Sequence, residues 1–134
     1  DEFAADCAVI RHGSAELVDL AEAKLRGENA DPDAYVDIMD GLLSQAGGDR
    51  LDTVVLACTH FPLVEEELSA AAPRPLAFVH GADGIARRTA WLTRDHRWPE
   101  QPADGIALFT RRSPDLGAYR KGLISFGLGR IEAL

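Results

Sequence analysis

What the chain has little of narrows its identity first. Among its 134 residues are only two cysteines, Cys7 and Cys58, too few for a disulfide framework, and neither has a neighbouring Cys or His at zinc-ligand spacing. Both are therefore expected as free thiols, with no metal and no disulfide. Basic charge is also scarce: the net charge is −8, and the acids are scattered along helical stretches with no basic stripe. The attractive field that a nucleic-acid partner requires is missing. No apolar run approaches the roughly 18–20 residues of a membrane span. The opening Asp1-Glu2-Phe3-Ala4-Ala5-Asp6 lacks the basic and then apolar regions of a secretion signal. The expectation is a cytoplasmic protein with no nucleic-acid or membrane partner.

What is present is ordinary for a globular domain, with 46% apolar and 27% charged residues. The apolar run Cys7-Ala8-Val9-Ile10 predicts a buried strand. Ser14 is a helix cap, followed by Leu17, Val18, Ala21 and Leu25 on one face and Gly27 as the stop. Asp31-Pro32 opens a second helix, with Tyr35, Ile38, Met39, Leu42 and Ala46 at helical spacing before Gly47-Gly48. The β-branched run Thr53-Val54-Val55-Leu56-Ala57 predicts a central strand. A helix from Pro62 and a strand at Leu76-Ala77-Phe78-Val79 complete a βαβ step. Further on come a helix over 84–93, a loop over 95–103, a strand over 106–109, a helix from Ser113-Pro114 to Gly127, and a short strand around Ile131. This alternation predicts an α/β fold with a mostly parallel sheet flanked by helices. His80-Gly81-Ala82-Asp83-Gly84 separates two βα blocks and is the candidate hinge. The expected organisation is residues 1–79 as one lobe and 80–134 as a C-terminal segment.

Ligands of open α/β sheets bind beyond the carboxyl ends of the strands. There the sequence places Cys58, Thr59 and His60, just ahead of a helix whose N-terminal amides favour an anion such as a carboxylate. The same positive potential lowers a thiol's pKa. A thiolate so placed acts either as a proton acceptor or as a nucleophile, and residue types alone do not separate the two. A buried structural cysteine is the bland alternative.

The run Asp-Thr-Val-Val-Leu-Ala-Cys-Thr-His-Phe-Pro-Leu from Asp52 to Leu63 closely resembles the second-cysteine motif of glutamate racemases. The stretches from Gly13 to Glu28 and from Gly84 to Leu92 resemble the same family in the same order, and the likeness thins beyond residue 93. It implies the aspartate/glutamate racemase-like fold in its C-terminal portion, and cofactor-independent interconversion of L- and D-glutamate for peptidoglycan synthesis. It also implies two catalytic thiols on opposite faces of the substrate Cα, of which Cys58 matches the second. The first belongs to a Cys-Asn-Thr-type motif that this sequence does not contain, and Cys7 is no substitute. By the same match His60 would hydrogen-bond near Cys58 and contact substrate, Thr59 would contact the amino-acid head group, and Glu22 would be an auxiliary acid. His60 in place of a Glu favours glutamate over aspartate. Two departures stand out: His80-Gly81-Ala82 replaces the usual Asp-Ser-Gly before the Ile-Ala-Arg-Arg helix, and Ala57 replaces Gly.

On this reading the full-length protein is an amino-acid racemase, while the isolated chain, with one of two bases, is inactive or serves only as a carboxylate-binding module. A Cys58/His60 hydrolase is a third reading; residues on one tight turn suit it poorly, since such pairs normally come from separate segments. A homo-oligomer is expected to cover apolar surface left exposed.

Overall fold

The structure, a computed structural model, describes residues 6–101 and 103–134. Helix α1 (Ala15–Arg26) begins where Ser14 Oγ accepts the Leu17 amide at 3.0 Å, and ends where Gly27 takes up a left-handed conformation, φ 81°. Asp31 caps α2 (Pro32–Leu43), with Pro32 at its first position. The predicted spacing holds through Leu42; Ala46 falls outside because the helix stops at Leu43. A 3-10 turn (Gly48–Arg50) leads to β1 (Thr53–Val55). A second 3-10 turn (Phe61–Val64) then passes into α3 (Glu65–Ala71), and β2 (Ala77–Val79) returns parallel to β1 with Val54 opposite Phe78.

Helix α4 (Ala82–Leu92) follows, exposed along its whole length; on it Trp91 lies under two guanidinium groups, Arg88 at 4.3 Å and Arg94 at 4.5 Å from the ring centroid. Strand β3 (Ile106–Phe109) pairs parallel with β4 (Arg130–Ala133), and between them run a 3-10 turn (Pro114–Tyr119) and α5 (Arg120–Ser125). The α/β alternation is as expected, but among the described residues the strands form two separate parallel pairs, not one mostly parallel sheet.

The core gathers inner faces of the first three helices and the β1 end: Leu17 and Ala21 from α1, Tyr35, Ile38 and Met39 from α2, Leu56, Val64 and Leu68. Burial of such side chains contributes about 1.5–3 kcal/mol each. The β3–β4 pair buries little beyond Ala107 and joins the first unit through α5, which lies flush on α1: a side chain at Gly122 would collide with the Leu25 backbone.

The strand expected at Cys7–Ile10 is a correction. These residues carry no strand, Cys7 is exposed and Val9 is 68% exposed. A strand needs a ladder partner. Here residues 6–10 instead run beside Thr53–Leu56 across a cavity of about 730 Å³ lined also by Ile38, Met39 and Leu42, so hydrogen-bonding contact is not made. Residues 1–5, which precede that stretch, lie outside the described residues. No described helix is long and apolar enough to cross a membrane.

Candidate functional site

Three backbone segments converge at the carboxyl end of β1. The strand ends at Val55, Leu56 donates its amide to the Val79 carbonyl at 2.9 Å, and the chain then bends through Cys58, Thr59 and His60 before the Phe61–Val64 turn begins. Val64, wholly buried in the core, and Pro62 in the first turn anchor this bend from behind. Cys58 and His60 are half-buried at its surface, and Thr59 is exposed between them.

His60 faces two partners. Its Nδ1 lies 3.7 Å from Cys58 Sγ, and its Nε2 lies 2.8 Å from Glu22 Oε1 on α1. An ionised carboxylate only accepts, so Nε2 carries a proton and donates to Glu22. Nδ1 is then left to accept the Cys58 S–H, and taking that proton produces a thiolate beside an imidazolium.

The surroundings favour that transfer. The Cys58 thiol is held below its usual value by the His60 amide first, then by the His60 ring and the Phe61 amide. His60 is raised by its bonds to Cys58 and Glu22. For Glu22, burial pushes upward, but the Tyr119 hydroxyl, His60 and Arg26 together outweigh it, and the carboxyl stays below its usual range. Each shift favours the charged form: the carboxylate of Glu22, the imidazolium of His60 and the thiolate of Cys58.

Of the residues picked out from sequence, Cys58, His60 and Glu22 are thus brought into one hydrogen-bonded line, and Thr59 stands beside it. The salt bridge of Lys24 with Glu67 of α3 lies nearby on the outer side of α1. Among the described residues no group of three or more His, Cys, Asp or Glu side chains is arranged to hold a metal ion.

The chain is 47% identical to the glutamate racemase of Sphingopyxis alaskensis over 98% of its length. It is 36% identical to that of Haemophilus influenzae over 100%, and 41% identical to that of Escherichia coli over 98%. A solved structure, Escherichia coli glutamate racemase in complex with L-glutamate and the activator UDP-MurNAc-ala, superposes with a TM-score of 0.82 at 40% identity over 99% of this chain. Along nearly its whole length this chain is thus similar to one half of the glutamate racemases. It spans about half the length of the curated relatives it matches, 49% of the first two and 50% of the solved one. No protein-family model matches.

Within this glutamate racemase fold one participant escaped the sequence reading. Tyr119, at the end of the 3-10 turn before α5, brings its hydroxyl to Arg26 Nη1 at 3.3 Å, one helical turn along α1 from Glu22. The only available signal was the one-turn spacing of Glu22 and Arg26 on α1, which says they share a face but not what covers it.

Proposed function

We propose that this chain is the part of a glutamate racemase that carries one of two opposed proton-transfer thiols, Cys58, for interconverting L- and D-glutamate. The observation that carries the reading is the Cys58–His60–Glu22 line, at 3.7 and 2.8 Å, in a chain matched along its whole length to enzymes of that name. In one direction the Cys58 thiolate takes the α-proton of the bound amino acid, becoming S–H. The electron pair left on Cα is delocalised into the carboxylate. A thiol on the opposite face then delivers its proton to Cα and is left as thiolate. In the other direction Cys58 gives the proton, and the imidazolium, held by Glu22, supports the thiolate that remains.

The substrate is glutamate, the head group lying against Thr59 and the amides of the turn, and the reaction needs no cofactor. The product supplies D-glutamate to peptidoglycan and so serves cell-wall formation and cell shape in the cytoplasm. Residues 1–79 make the lobe bearing the Cys-Thr-His motif, and 80–134 the segment that packs with the lobe bearing the other thiol. Support for that division comes from the two separate strand pairs and the exposed α4 between them.

The test uses the protein completed to its relatives' length, incubated with L-glutamate in deuterated water. Solvent deuterium should enter Cα with inversion, and Cys58→Ala should abolish racemisation. Unchanged turnover in Cys58→Ala overturns the assignment.

A further inference from the structure

We infer that a second copy of this chain docks on α4, laying the acidic outer ridge of its α2 against the Arg87, Arg88, Trp91 and Arg94 side of that helix. The inference is independent of the proton-transfer reading, since none of these residues belongs to the Cys58–His60–Glu22 line.

Charge is divided unevenly along the sequence. Residues 1–79 hold sixteen acids against five lysines and arginines, whereas residues 80–134 hold six against nine. One copy therefore carries both an attracting surface and the surface it attracts, and opposite potentials steer such surfaces together.

On α4 the helix gathers the positive charge. At about 100° per residue Ile85 and Leu92 share one side, Arg87 and Trp91 stand well round from them, and Arg88 lies between. Arg88 and Arg94 lie over the Trp91 ring at 4.3 and 4.5 Å, and Arg94 is held there by donating to the Trp91 carbonyl at 3.0 Å. All four side chains are exposed. Arg94 also meets Asp95 at 3.6 Å, but Arg87 and Arg88 enter no ion pair among the described residues. Trp and Arg together are the residues that most often anchor protein interfaces.

The complement lies on α2. That helix buries Tyr35, Ile38 and Met39 and turns Asp33, Val36, Asp37 and Asp40 outward. Residues so spaced, at i, i+3, i+4 and i+7, share one helix face. Steps of four and then three residues separate Asp33, Asp37 and Asp40, as they do Arg87, Trp91 and Arg94. None of the three carboxylates enters an ion pair among the described residues. Laid together, the two ridges set carboxylates against guanidinium groups and Val36 against the indole, and the Ile85 and Leu92 side of α4 stays outside the contact.

The experiment uses the 134-residue chain and two exposed-surface variants of it, Arg87→Glu/Arg88→Glu and Asp37→Lys/Asp40→Lys, each checked by circular dichroism for unaltered helix content. In sedimentation velocity the unaltered chain should associate, and less so as sodium chloride rises from about 0.05 to about 0.5 M. Each variant alone should associate about tenfold more weakly, because like charge now faces like charge. An equimolar mixture of the two should recover the strength of the unaltered chain, since the reversed α4 of one meets the reversed α2 of the other. If the arginine variant weakens association and the aspartate variant does not, α2 is not the occupant and the inference is overturned. Failure of the mixture to recover overturns it as well. Association that ignores salt and both variants also overturns it, and assigns self-association to exposed apolar surface alone.

Discussion

At the scale of single residues, the behaviour of Cys58 depends on a proton shared with His60. The thiol is lowered and the ring raised, so the two titrations are drawn toward each other and the thiolate–imidazolium form gains population. Alkylation should climb as pH rises through the lowered thiol pKa. His60→Gln removes the ring's contribution while leaving the two backbone amides, and should slow Cys58 alkylation about three- to tenfold at neutral pH but hardly at pH 10, as read by mass spectrometry of the modified chain. Cys58 and His60 were legible because they are near neighbours at a strand end, where the local pattern alone signals chemistry. Glu22 was placed by family likeness, and helical periodicity put it only at the rim of α1's apolar face. Tyr119 was illegible: its partner Arg26 lies 93 residues away, and nothing in the local pattern of a capped turn says which side chain across the fold it will meet.

At the scale of elements, the legible ones carry their own punctuation. Helices α1 and α2 were readable because Ser14, Gly27 and Asp31-Pro32 declare their ends, and their apolar residues keep helical spacing. Ser14→Ala should cost about 1 kcal/mol in urea denaturation, since the Leu17 amide loses its acceptor. Cys7–Ile10 failed as a strand because apolar composition states a preference for burial, while a strand needs in addition a partner at ladder distance. The same reasoning shortens β1 to Thr53–Val55: its extent follows that of β2. Helix α5 rests on α1 where there is no room for a methyl group. Gly122→Ala should therefore push the helices apart, destabilise the chain by about 1–3 kcal/mol in the same assay, and carry Tyr119 away from Arg26.

At the scale of the whole molecule, the apolar interior is lopsided. The cluster around Leu17, Met39 and Val64 serves the first unit, and Met39→Ala should lower its stability by about 2–5 kcal/mol, measured by thermal or urea unfolding. The second unit leaves Ile106, Leu108, Ile124 and Phe126 at the surface, and α4 adds Ile85, Trp91 and Leu92. So much uncovered apolar area favours self-association. Sedimentation velocity should show a weight-average mass that rises with concentration, and a monomer at all concentrations would contradict this. The α/β class was legible from the alternation of patterns, but the split into two strand pairs was not, because pairing is decided by which edges come together in space. The stacked arrangement on α4 also makes the molecule its own optical probe. Trp91, 52% exposed beneath Arg88 and Arg94, should emit at the long wavelengths of a hydrated indole. In a Trp98→Phe background that emission is the only indole signal left, and a shift toward the blue would mark the moment another surface settles over the helix.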